Sequence, residues 1–196
     1  HKVQALLDKY GYTKTEQFLN EWNYVQSWTD EYPNSIRVMA SPKGGAFVCA
    51  AMQDCQNSPL DMLMYYDWRP GTAFNGLFDF RTDAPLWAYW ALYSWGKLKT
   101  LGTQVKAECG DSDIRVTAAR NAKGKLGILV CRYSMDNNVV ATKDVTVSLA
   151  KGKFDENVRC HIADEFNMYT EYPIALQPDG KLLLSMEPNS FVFIEF

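Results

Sequence analysis

The sequence predicts two kinds of architecture in one chain: a parallel α/β part over residues 1–102 and an antiparallel β-sandwich over residues 103–196. Three observations carry this. Helical and strand patterns alternate up to Gly102, with loop lengths that suit crossovers between parallel strands. After Gly102 come seven short apolar runs, many of them separated by turn residues. Two clusters, Glu21-Trp22-Asn23 and Asp67-Trp68-Arg69, each follow the C-terminal end of a predicted strand. In parallel α/β folds that end carries the chemistry.

In chain order, Lys2–Lys9 places Val3, Leu6 and Leu7 at helical spacing, and Gly11 follows as a stop. Thr15–Asn20 reads as a buried strand, with Glu21 just past its end. Tyr24–Ala40, with Pro33 and Asn34, reads as a long polar connection. Ser41-Pro42 marks a helix start, Ser as N-cap and Pro at the first helical position. Ala46–Gln56 continues that helix, and Asn57-Ser58-Pro59 breaks it. Leu60–Tyr66 reads as a second strand. Pro70-Gly71 opens a loop, Asp83 is placed to cap the next helix, and Pro85 falls in its first turn. Leu86–Leu101 is apolar on more than one side, as in a helix covered twice.

The seven later strands are predicted at Thr103–Glu108, Ile114–Arg120, Leu126–Tyr133, Asp144–Leu149, Val158–Ala163, Lys181–Met186 and Ser190–Phe196. Ile128, Val130 and Arg132 alternate with Leu129, Cys131 and Tyr133, so both faces of that strand are expected to be covered.

Composition narrows the function classes. The chain has 196 residues, 47% of them hydrophobic and 14% aromatic, which suits a folded core rather than disorder. Net charge is −3 with both signs mixed, so there is no electrostatic footprint for nucleic acid. No apolar run reaches the length of a membrane span. His1 opens directly onto a helical pattern, so the start reads as a cut through a longer protein or the remnant of a tag. The five cysteines lie in apolar surroundings and read as buried free thiols. No metal-ligand spacing and no cofactor motif appears.

The stretch Thr15–Tyr24 (TEQFLNEWNY) resembles, at LNEWN, the strand-end motif of clan A glycoside hydrolases, especially family 39-like enzymes. The resemblance continues through most of the chain. Ser41–Gln56 looks like the following helix, MLMYYDWRPG and FNGLFD like the last barrel strand and its loop. PLWAYWALYSWGKLKTLG looks like the last barrel helix, and SMEPNSFVFIEF like the final strand of the appended sandwich. The resemblance implies the last two βα units of a (β/α)8 barrel followed by a β-sandwich, and retaining hydrolysis of a glycoside. Asn-Glu more often precedes the acid/base on the fourth strand of such barrels. Here only one further βα unit follows Glu21, so Glu21 matches the seventh-strand position, which implies the nucleophile.

A retaining site needs two carboxyl groups about 5–5.5 Å apart, one to attack and one to protonate the leaving oxygen. The usual partner lies on a strand this chain does not contain. Asp67 is the nearby substitute, although the family pattern does not use it as the acid; holding Arg69 or a sugar hydroxyl suits it better. Trp22 and Trp68 are candidates for stacking on a sugar, against plain packing. Asn23, Tyr24 and Tyr66 are candidates for binding hydroxyls or orienting Glu21. The expected partners are a carbohydrate substrate and either the missing barrel part or another copy of the chain. Two other functions compete: a carbohydrate-binding or accessory sandwich displaying Tyr133, Tyr169 or Tyr172, and a sandwich that only buttresses a barrel.

Overall fold

The computed structural model describes residues 1–196. Helix α1 (Lys2–Lys9) comes first and buries none of its residues; Val3 and Leu6 stay exposed. A side-chain hydrogen bond from Gln17 to Gln4 ties it to the residues just before the first strand. Strand β1 (Phe18–Trp22) and strand β2 (Met62–Tyr65) pair in parallel, Phe18 opposite Met62 and Leu19 opposite Leu63. The register shifts before Trp22 meets Tyr65.

Between them lie α2 (Tyr32–Met39) and α3 (Pro42–Gln56); α4 (Trp87–Leu101) follows β2. Alternation with parallel pairing is as expected.

Four local expectations are corrected. β1 sits later than Thr15–Asn20, so Glu21 and Trp22 lie inside the strand. Its entry is fixed by Gln17, whose N–H donates to Asp61 and whose carbonyl accepts the N–H groups of Asp61 and Met62. The supposed loop Tyr24–Ala40 contains α2, because Pro33 falls in the first turn, where its missing N–H costs nothing. Ser41 holds the N-cap position of α3, but its hydroxyl donates back to the Val38 carbonyl instead of capping. Asp83 does not cap α4: it lies outside the helix with φ +54°, Leu86 is the capping residue, and Pro85 pairs with Phe78 in an isolated bridge.

The rest of the chain forms β3 (Thr103–Val105), β4 (Ile114–Arg120), β5 (Leu126–Arg132), β6 (Lys143–Val147), β7 (Arg159–Ala163), β8 (Met168–Glu171), β9 (Ala175–Leu176), β10 (Leu182–Met186) and β11 (Ser190–Glu195). They make a six-stranded sheet, β3-β4-β5-β11-β7-β8, and a three-stranded one, β6-β10-β9, with every pairing antiparallel. β8 and β9 are strands beyond the seven expected.

Strand alternation builds two cores. Leu129 and Cys131 of β5, with Phe191 and Phe193 of β11, face Ala46, Cys49 and Ala50 of α3 and Ala91 and Leu98 of α4. Ile128 and Val130, with Val192 and Ile194, face Leu182, Leu184 and Met186 of β10. The six-stranded sheet is therefore covered by helices on one side and by the small sheet on the other.

Gly45 lets α3 and α4 approach closely: a Cβ there would lie 2.5 Å from Trp87 Cβ. Buried Gln53 of α3 donates to the Leu129 carbonyl at 2.9 Å and to Thr117 Oγ1 at 3.3 Å, pinning the helix layer to the sheet. All five thiols are free; Cys49, Cys131 and Cys160 are buried, but Cys55 is half-buried and Cys109 exposed, against the expectation of burial. No helix is long and apolar enough to cross a membrane.

Candidate functional site

The C-terminal ends of β1 and β2 are laced together by one amide. Asn23 Nδ2 donates to the carbonyls of Tyr66 and Phe74, and its Oδ1 accepts the Val25 N–H at 2.7 Å. The side chain thus spends both donors on the loop after β2 while holding its own loop by an Asx turn. Asn23, a candidate for binding hydroxyls or orienting Glu21, lines the cleft and spends these bonds on the two loops.

The loop after β2 has its own anchor. Tyr65 is buried, and its hydroxyl donates to the Asn75 carbonyl at 2.7 Å; burial raises this phenol well above its ordinary pKa. Asn75 Oδ1 in turn accepts the N–H groups of Leu77 and Phe78. The Tyr66–Asp67 peptide bond is cis.

Between these loops lies a cleft of about 520 Å³. Glu21 lines it together with Trp22, Asn23, Tyr66, Phe74 and Trp28, and with Val25 and Ser27 from the loop after β1. The Glu21 carboxylate is exposed and takes part in no ion pair or hydrogen bond within the chain. It is the only charged group in the lining.

The remaining candidates separate. Trp22 is half-buried: its ring meets Tyr65 edge-on at 5.3 Å and Phe47 at 6.1 Å, so packing takes much of its surface. Tyr66 is exposed and leans on Phe74 at 5.9 Å. Tyr24 packs edge-on against Phe47 at 5.1 Å and does not line the cleft.

Asp67 is outside that lining as well. Its carboxylate accepts the Thr72 hydroxyl at 2.7 Å. It forms no ion pair with Arg69, whose carbonyl also accepts from Thr72 while its guanidinium is solvent-facing. Trp68 is exposed but belongs to a separate apolar hollow of about 380 Å³ with Trp22, Met52, Leu63, Met64, Tyr65 and Leu92. Glu21 and Tyr66 therefore share one open cleft, whereas Asp67, Trp68 and Arg69 do not join it.

Sequence reasoning missed Trp28 and Phe74. Trp28 is fully exposed and has φ +62°. A lone Trp in a polar loop gives no periodic signal. No cluster of three or more His, Cys, Asp or Glu side chains is placed to hold a metal ion.

The tyrosines of the antiparallel part are occupied. Tyr169 lies between two rings, stacked on Trp90 at 4.8 Å and on His161 at 5.0 Å. Tyr133 is wedged between Phe47 and the Arg115 guanidinium, and burial pushes its hydroxyl up to about 12. Tyr172 packs against the core between the sheets.

No known family model matches the sequence, and no curated protein matches it. Solved structures do. A monomeric beta-xylosidase from Caulobacter crescentus superposes with a TM-score of 0.70 at 15% identity, over 99% of this chain and 48% of that one. A glucosidase from Croceicoccus marinus gives 0.67 at 17% identity, over 99% and 48%. A glycoside hydrolase family 30 xylanase from Clostridium acetobutylicum gives 0.64 at 15% identity, over 97% and 44%. The chain therefore shares its mixed α/β and antiparallel fold with part of glycoside hydrolase structures, and spans less than half the length of each.

Proposed function

We propose that this chain is the nucleophile-bearing part of a retaining glycoside hydrolase, of the family 39-like kind that its motifs resemble. Residues 1–102 are the last two βα units of a (β/α)8 barrel, and residues 103–196 an appended β-sandwich. The substrate is a carbohydrate of plant-polysaccharide or xyloside type.

The observation that carries this is Glu21: an unpaired, solvent-facing carboxylate at the C-terminal end of a parallel strand, in a cleft walled by aromatic rings. An ionised carboxylate so placed can attack an anomeric carbon. The acid that protonates the leaving oxygen comes from outside these residues, either from the rest of a longer protein or from an associated copy. Asp67 is a poor substitute, because its carboxylate is engaged by Thr72 outside the cleft. The accessory-module reading is weakened by Tyr133, Tyr169 and Tyr172, whose rings are taken up in packing.

The test uses a leaving group that needs no acid. With 2-deoxy-2-fluoro-β-xylosyl fluoride, a Glu21 oxygen bonds to C1 as the C1–F bond breaks and fluoride departs, the C2 fluorine staying on the sugar. Peptide mass spectrometry is expected to find the sugar ester on Glu21, and none in Glu21→Gln. A label on another carboxylate, or none, would overturn the assignment.

A further inference from the structure

Trp28 is the most exposed large apolar side chain in the molecule, and it lines the same cleft as Glu21. An exposed indole on the wall of a cleft offers a flat apolar face and a polar N–H edge to a ligand. Its backbone is in the left-handed region, φ +62°, an unusual conformation for a bulky residue.

The loop that holds it is fixed on both sides. Val25 N–H donates to Asn23, Gln26 N–H donates to Ser35 Oγ at 3.1 Å, and Thr29 Oγ1 donates to the Gln26 carbonyl at 2.9 Å. Tyr32 N–H then donates to the Thr29 carbonyl at 3.1 Å. A pinned loop that turns one indole outward beside a carboxylate presents a platform rather than a loose end.

We propose that Trp28 is the stacking platform of a subsite for a neutral pyranose unit bound beside Glu21. The proposal rests on Glu21 being the nucleophile and adds the sugar's position and charge. A pyranose with equatorial hydroxyls has flat C–H faces that suit an indole. Its edge hydroxyls meet Ser27, Tyr66 and Glu21 around the same cleft. With Glu21 the single charge in the lining, a uronate would face like charge, whereas an uncharged sugar would not.

The chain has six tryptophans, so 5-fluorotryptophan labelling gives six fluorine resonances, and Trp28→Phe identifies the one belonging to Trp28. The probes are xylotriose and cellotriose. The expected result is a saturable shift of the Trp28 resonance with at least one of them. In Trp28→Ala, calorimetric binding of that sugar weakens about tenfold, the loss of one aromatic contact. A Trp28 resonance that stays still with both sugars overturns the platform, even where Glu21 carries the fluorosugar label. A sugar that moves Trp28 while Glu21 fails to be labelled overturns the nucleophile and leaves the platform standing.

Discussion

At the residue scale, the cleft is shaped by side chains whose hydrogen bonds go to backbone. Asn23 is the clearest, since two donors and one acceptor are all spent on backbone. Asn23→Asp would turn a carboxylate oxygen toward the carbonyls of Tyr66 and Phe74. The expected cost is roughly 1–3 kcal/mol, read as a lower urea midpoint and faster amide exchange over residues 66–74. Glu195 works at the other side of α4. Burial pushes its carboxyl up, but Lys97 at 2.8 Å and Lys125 at 3.4 Å outweigh that and hold it below the ordinary value. A depressed carboxyl stabilises the fold above its unfolded pKa, about 4.3, and that contribution is lost as pH falls through the folded value. Thermal melts are therefore expected to drop in acid below that point. Glu195→Gln should flatten this part of the profile and cost roughly 1 kcal/mol at neutral pH. Glu21 was singled out because a strand pattern ran into it and LNEWN resembles a strand-end motif. The role of Asn23 could not be read from the sequence, because its partners Tyr66 and Phe74 lie 43 and 51 positions away. Trp28 was hidden for the opposite reason: it has no partners.

At the scale of elements, α3 and α4 pack face to face through a glycine. Gly45→Ala drives a methyl into the Trp87 backbone and Cβ, atoms that cannot move aside singly. The expected destabilisation is about 1–3 kcal/mol in denaturant melts, the usual cost of overpacking. Gly96 of α4 has open space around it, and Gly96→Ala is the matched control, expected to be neutral or better. Most elements were legible because their periodicity and punctuation agreed. α2 was not, since Pro33-Asn34 looks like a loop when the helix start is unseen. β8 escaped because it is four residues long, has a register shift against β7, and holds Tyr169 at φ +58°. Asp83 misled because a good capping residue is only a cap where a helix begins. Here Asp79 organises the turn instead, accepting the N–H groups of Arg81 and Thr82.

At the scale of the whole molecule, the two parallel strands have an unfinished surface. Phe18, Leu19, Met62, Met64 and Tyr66 are all substantially exposed, and each strand of the pair has one unpaired edge. Open edges with apolar side chains invite association. Sedimentation velocity is expected to show concentration-dependent self-association, reduced when Met62 and Met64 are both replaced by Lys. A monomer at all concentrations would refute this. The change of rhythm at Gly102 in the sequence falls between the end of α4 and the start of β3. The packing of helices on sheet was not visible there, since Gln53 reaching Leu129 and Trp87 Nε1 donating to the Asp164 carbonyl are long-range bonds. One consequence of that packing concerns light absorption. Trp90 of α4 and Tyr169 of β8 lie parallel, 5° apart in plane and 4.8 Å between centres. Two transition dipoles so close are expected to couple and to add to the near-ultraviolet circular dichroism a contribution that fades when helix and sheet part. The rings would then serve as an optical gauge of whether the two layers are docked, one that needs no dye and is expected to weaken in Tyr169→Leu.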